Sequence, residues 1–491
     1  MIAGRENAPA YLTMYLAMML GVMTTLCLAL IEGVRVNTLQ LEAACIADTC
    51  TDNVLAEYHQ ELFRRFNLLA VDFSYGSGTA SKENLEGRLA WYLDMNLGGA
   101  PKGSWGNLGS YRYRDFLGMQ LEQANVTTYR LLSDDAGTVF RKKAVEAIRD
   151  DLGLAAIQDA VNWMKTVEDY QLDTRDVEAE KAAVDEKIAS YQGKEIKKGK
   201  ETAILKFDNP TVSLDHHKKM GIVWQATRNH PVSQKKIYPR DLFSQRQKAG
   251  KVNQGNLPVK LGNAVQEESE WIFFVEYLRN YFGYYDGAKK GSALEYELEY
   301  MLAGKDSDYK NLEAVLLKLL AVREAANVAY LYSDQTKYKE ADLVALALSA
   351  LLGVPELQEL FTTTILLGWA YAESVYDLSV LLYYRGRVPL MKDDHTWHYA
   401  LSNILEDMWD GFAGKTEQEG LTYQEYLKVL LLVADHEAVT CRAMDMVEAD
   451  IRLTTGNKNF RIDACCTDLK ALISFTSPRG YRATLNEEKG Y

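Results

Sequence analysis

The residue types most able to do chemistry in this chain are its histidines, cysteines and acidic pairs, and the densest cluster is Asp393-Asp394-His395-Thr396-Trp397-His398. Read as the start of a helix capped by Asp394, it sets His395 and His398 at i and i+3 on one face, the spacing of two metal-binding imidazoles beside a carboxylate. Zinc needs about three protein ligands with oriented partners behind them, and the chain has neither HExxH nor paired CxxC. The expected role is a polar helix start, with no metal and no cofactor. Asp215-His216-His217 falls in a lysine-rich stretch and reads as solvated, and His436 reads as lying inside a helix. Glu373 and Asp377, one turn apart, are spaced for acid–base work, but a satisfied or solvated helix face is the expected reading.

Other reaction signatures are missing or broken. There is no GxxxxGK[ST] phosphate loop and no GxSxG elbow, and Gly76-Ser77-Gly78 has Ser81 where a dinucleotide fingerprint needs its third glycine. Asp306-Ser307-Asp308 opens like a calcium loop but has Asn311 in the glycine position. Six cysteines, one of them in an apolar run, leave an odd number and read as buried thiols rather than a disulfide framework. A non-catalytic protein is expected.

The elements that would position these residues begin with a membrane segment. Between Glu6 and Glu32 lie 25 uncharged residues, and Tyr11 to Ile31 is long enough to cross a bilayer core as helix. Its leucines, Val22 and Ile31 each favour insertion by about 0.3–0.6 kcal/mol. A cleaved signal would have a shorter apolar core, and Leu28-Ala29-Leu30-Ile31 offers no small-x-small site, so a retained anchor is expected. Leu26 before Cys27 argues against a lipoprotein site. Arg5 and the amino terminus favour a cytoplasmic N-terminus and an extracellular body.

Beyond the span, apolar residues recur at Val36, Leu39, Ala43, Ile46, Cys50, Val54, Tyr58, Leu62 and Phe66, steps that predict one helix running from the membrane to Phe66. Five regions follow from this: an anchor over 1–34, a stalk helix over 35–67, a strand and helix region over 68–193, a basic loop or linker over 194–262, and a helical region with C-terminal strands over 263–491. Strands are expected over Leu68–Ser74 and near Phe116–Ser133, with helices from Ala136 to Tyr191 broken near Gly153 and Asp173. The strict alternation of Leu294, Tyr296, Leu298, Tyr300 and Leu302 with Glu295, Glu297, Glu299 and Met301 predicts a strand with one wet acidic face. Helices are expected near 264–282, 308–332, 339–352 and 355–384, the last with only thirteen uncharged residues, too few to cross a membrane. Thr422 and Glu425 form a capping box opening a helix to Ile451, and strands follow over Phe460–Phe475 and Tyr481–Leu485.

Charge narrows the partners. Lys+Arg 55 against Asp+Glu 68 gives −13, so no global basic field attracts nucleic acid. Residues 194–251 are the exception, with fourteen Lys/Arg against five Asp/Glu. Lys197, Lys198, Lys200, Lys218, Lys219, Lys235 and Lys236 are candidate contacts for anionic wall polymers, against the plainer reading of a solvated insertion.

Leu30-Ile31-Glu32-Gly33-Val34-Arg35, closing a single span that continues as helix, resembles the end of the membrane helix in TadE/TadG-like pseudopilins of Tad/Flp pilus systems. Val54–His59, Tyr129–Ser133, Glu299–Gly304, Trp369–Ser374 and Val388–Lys392 resemble an uncharacterised family of membrane-anchored proteins in Gram-positive bacteria. Other pseudopilins carry a peptidase site with glutamate five residues after glycine; here Pro9 follows Gly4 at that place, a departure that speaks against such processing. The resemblance implies lateral assembly at the membrane, for which Glu32 is the obvious charge, although an i,i+3 pair with Arg35 is the expected contact.

The expected fold is α+β and mainly helical, an N-terminal transmembrane helix continuing into a pilin-like stalk, with a small sheet made from distant strands. The expected function is a non-catalytic component of a Tad/Flp-type pilus or related envelope assembly, partnered by the lipid bilayer and other envelope or pilus-assembly proteins. The alternatives are an anchored envelope hydrolase around His395 and His398, or a scaffold or sensor of anionic wall polymers.

Overall fold

The computed structural model describes residues 8–97, 118–149, 154–170, 172, 175–198, 201–207, 221–255, 257–258, 264–402 and 419–491. Its helices, in chain order, are α1 (Ala8–Leu55), α2 (Gln60–Phe66), α3 (Lys82–Asn96), α4 (Asp134–Ile148), α5 (Leu154–Asp169), α6 (Val177–Tyr191), α7 (Ile222–Thr227), α8 (Phe243–Lys248), α9 (Ala264–Tyr281), α10 (Glu297–Ala303), α11 (Asp308–Ser333), α12 (Gln335–Leu352), α13 (Gln358–Leu382), α14 (Tyr423–Leu432) and α15 (His436–Arg452). The strands are β1 (Val71–Asp72), β2 (Gln120–Leu131), β3 (Glu195–Lys198), β4 (Glu201–Ile204), β5 (Cys465–Thr476) and β6 (Arg482–Gly490). The protein is a mainly helical α+β chain that forms two compact units.

The first unit gathers Met1–Val139, Val252–Lys260 and Thr455–Tyr491. Its centre is β5, which pairs antiparallel with β2 along one edge and with β1 and β6 in succession along the other. Leu131↔Cys466 and Val71↔Cys466 show one β5 residue joining two strands more than 330 positions away. One face of this sheet is covered by α1, through Leu39, Ala43, Ile46, Ala47, Cys50 and Val54, whose steps of three and four place them on a single stripe. Each of the larger side chains contributes roughly 1.5–3 kcal/mol on burial, enough together to fix the helix on the sheet.

The amino-terminal part of α1 is different. From Tyr11 to Val34 its apolar side chains are exposed, and no part of its most apolar window is buried, so this stretch has the length and character of a membrane anchor or a signal sequence. Gly33 does not interrupt the helix. The helix does stop earlier than its periodicity predicts, at Leu55 rather than Phe66. The Glu57 carboxylate is held by Arg88 and Tyr92 of α3, while the His59 amide donates to Ala70 O and its ring accepts from Leu62 N, capping α2. These tertiary and capping bonds outweigh the weak preference for continuing the helix.

The second unit comprises Phe140–Lys251 and Leu261–Thr454 and is built around α13, which is buried along nearly its whole length. A helix apolar on all sides belongs in a core, and α6, α7, α11 and α12 surround this one. The predicted strand over 294–302 is instead α10. Alternation reads as a strand only if one face meets water, whereas here Glu297 and Glu299 are as buried as Leu298 and Tyr300. Their carboxylates accept amide protons from Gly283 and Tyr285, a use that requires no acidic surface. The capping box at Thr422 is present, but the helix it opens ends at Leu432, and Asp435 caps α15 anew by accepting from Ala438 N. The basic region is likewise not a plain loop. It contains the β3–β4 hairpin, and α7 and α8, whose Ile222, Val223, Ala226 and Phe243 are buried.

Candidate functional site

The predicted histidine cluster forms a turn, not a helix start. Asp393 accepts from the amides of His395 and Thr396 and from the Thr396 hydroxyl, which closes the turn and leaves His395 exposed. Asp394 caps nothing; it pairs with Lys337 at 2.6 Å and accepts from Tyr330. His398 turns the other way, its ring tilted over Tyr376 and its Nδ1 3.8 Å from a Glu373 oxygen. The two imidazoles therefore do not share a face, and among the described residues no group of three potential ligands is arranged around a metal position.

What the turn does is close a buried ionic cluster. Glu373 and Asp377, on the α13 face that the sequence reads as satisfied or solvated, are satisfied rather than solvated: both are fully buried, as is Arg323 from α11. Arg323 donates through Nε to Asp377 at 3.0 Å, through Nη1 to the carbonyls of Pro389 and Leu390 and to the Tyr426 hydroxyl, and through Nη2 to Asn327. Lys392 pairs with Glu373 and lies 2.6 Å from Asp377. Glu373 also accepts from the backbone amides of His398 and Tyr399. Burial would raise the Glu373 carboxyl, but the Lys392 ammonium and these hydrogen bonds outweigh it and hold it well below the usual carboxylate range. Two cations thus balance two anions, and the adjoining cavity is only about 10 Å³, barely the space of one water. The arrangement staples residues 388–399 to the core, with little space beside it for a substrate.

A roomier cleft, of about 480 Å³, lies among α8, α10 and α15. Lys248, Arg442, Asp435, Glu437 and Gln247 give it a mixed polar lining. Beneath it Asp445 accepts from Ser244 N and Tyr300 Oη, both at 2.8 Å, and burial pushes its carboxyl up to about 6 despite those bonds. Cys441 in the wall is no thiolate nucleophile, because burial pushes its thiol up to about 12.

Of the candidate polyanion contacts, Lys200, Lys218 and Lys219 lie outside the described residues; Lys197 and Lys198 belong to β3 by backbone alone. Lys235 pairs with Glu295 at 3.3 Å, and Lys236 is exposed beside a backbone bridge to Ser307.

Glu32, at the end of the exposed apolar stretch, does not pair with Arg35. Its carboxylate meets the Arg479 guanidinium at 2.9 Å, joining α1 to the turn between β5 and β6. No periodicity signals this partner, which lies 447 positions away. Arg323 and Lys392 had a weaker signal available: carboxylates on a helix flanked by Trp369, Tyr371 and Leu378 require buried countercharges once that helix is recognised as core.

No curated protein and no solved structure matches the chain. Residues 200–477 match the family described as "Family of unknown function (DUF5702)". The match runs from the first β-hairpin of the second unit to the end of β5 and covers more than half of the 491 residues, so the chain belongs to the DUF5702 family of unknown function.

Proposed function

We propose that this protein is a single-pass, membrane-anchored component of the cell envelope, pseudopilin-like and non-catalytic, serving a Tad/Flp-type pilus or a related assembly. The observation that carries this reading is α1 itself, one unbroken helix whose first half exposes only apolar and neutral side chains from Tyr11 to Ile31 while its second half is packed on an antiparallel sheet. Such a helix couples lateral packing in the bilayer to a folded head. The Tad/Flp assignment rests on the resemblance around Leu30–Arg35, and the Gram-positive, membrane-anchored relatives on the longer set of matching segments. With the amino terminus cytoplasmic, the chain beyond Ile31 lies outside the cell.

An envelope hydrolase at His395 and His398 draws less support, because that turn completes a charge-balanced staple with little space beside it. Deletion of the gene is expected to abolish or alter surface filaments, scored by electron microscopy and by complementation with the intact gene. Filaments of normal number and form in the deletion strain count against the proposal.

A further inference from the structure

The contact between Glu32 and the β5–β6 turn fixes the height of the sheet relative to the anchor. If residues 11–31 span the bilayer, as the proposed function holds, they cover about 32 Å at 1.5 Å per residue, matching a hydrocarbon core of about 30 Å. Glu32 is then the first residue in the headgroup layer, and Arg479, which pairs with it, brings the β5–β6 turn to the same level. A second tie holds the far end of the same strand. Lys489 reaches Asp48 at 2.6 Å and Asp52 at 3.1 Å, so β6 runs along α1 as a splint. From Glu32 to Asp48 is about 24 Å of helix, and from Tyr481 to Lys489 roughly 26 Å of strand. The agreement of the two lengths excludes a sheet swung away from the membrane on a loose tether.

The turn has the residues that such a level favours. Arg479 and Arg482 pair with Glu32 and Glu122 yet keep side chains 58% and 63% exposed, Tyr481 is partly exposed, and Arg35 lies on the adjoining turn of α1. Guanidinium groups bind phosphate oxygens, and tyrosine is favoured where one end of a ring is apolar and the other wet. We propose that Arg479, Tyr481 and Arg482 form a contact site for phospholipid headgroups, docking the sheet directly on the bilayer surface in continuity with the apolar surface of α1.

The test uses the full chain in phosphatidylcholine–phosphatidylglycerol vesicles, with the exposed Cys27 and Cys45 changed by Cys27→Ala and Cys45→Ala. A fluorophore is attached through Pro478→Cys at the turn, Glu488→Cys at the far end of β6, or Leu16→Cys in the anchor; Thr476→Cys, at the end of β5 that enters the turn, replaces Pro478→Cys if that variant does not fold. A headgroup-borne nitroxide is expected to quench the turn label at least threefold more than the label at 488. Equal quenching at the two positions, or none at the turn while an acyl-chain nitroxide still quenches the label at 16, overturns the headgroup site and leaves the anchor standing. Loss of quenching at 16 overturns the anchor and the headgroup site with it.

Discussion

Arg323, Glu373, Asp377 and Lys392 are legible in the sequence only as separate charges, and the consequence of their meeting is a strong dependence of each on the others. Removing one member leaves an uncompensated buried charge, which costs about 3–5 kcal/mol in comparable buried pairs. Lys392→Met is therefore expected to lower the stability of the full chain in detergent by that order, read from its denaturant midpoint; a loss below about 1 kcal/mol would show the cluster to be dispensable. Glu299 behaves in the opposite sense, since among the described residues no cation pairs with it. Buried between Tyr285 N and the Tyr423 hydroxyl, with Asp308 nearby, it is pushed by burial from 4.5 up to about 7. Below about pH 4.5 it is protonated whether the chain is folded or not, and as pH rises toward 7 only the unfolded chain ionises freely. Stability from this group is thus greatest in acid and falls by about 3 kcal/mol by neutral pH. Glu299→Gln is expected to flatten the decline in melting temperature between pH 5 and pH 8; an unchanged slope would refute the assignment.

At the scale of elements, loops are positioned by a few backbone contacts that tolerate no side chain. Gly420 has φ +114, and a Cβ there would lie 2.4 Å from the carbonyl carbon of Val388. Its neighbour Leu421 forms the backbone bridge to Val388 that starts the segment carrying Lys392. Gly420→Ala is expected to cost at least about 1 kcal/mol through left-handed strain and the overlap, and to weaken the ionic staple indirectly. In a double-mutant cycle with Lys392→Met the two losses should be less than additive; full additivity would mean that the bridge does not position the lysine. The helix boundaries carry the same lesson. Tyr58, Leu62 and Phe66 continue the apolar stripe of α1, yet the chain breaks at Ala56–His59 because Glu57 and His59 find tertiary and capping partners.

At the scale of the whole molecule, unit boundaries ignore chain order, since β5 near the carboxyl terminus closes the sheet begun by β1 and β2. A truncation that removes β5 and β6 therefore exposes the packed stripe of α1, whereas one that removes only residues 1–34 leaves the first buried position, Leu39, in place. The 35–491 fragment is expected to appear in the soluble fraction without detergent, and the intact chain to stay with membranes through alkaline carbonate washing. Release of the intact chain by carbonate would refute the anchor.

The sequence by itself determined the features that depend on neighbours a few residues apart. These include the uncharged run before Glu32, the stripe on α1, the capping box at Thr422, the core character of α13 and the presence of two strands after Phe460, read as Phe460–Phe475 and Tyr481–Leu485 and found at Cys465–Thr476 and Arg482–Gly490. Only the tertiary structure decided that 297–303 is helix, that Glu32 is held by Arg479, that Glu373 and Asp377 face Arg323 and Lys392, and which strands β5 joins. The physical reason is the same in each case. Local periodicity records which positions prefer to leave water, but an acidic residue at such a position reads as exposed until the fold supplies the amide, hydroxyl or cation that replaces its hydration.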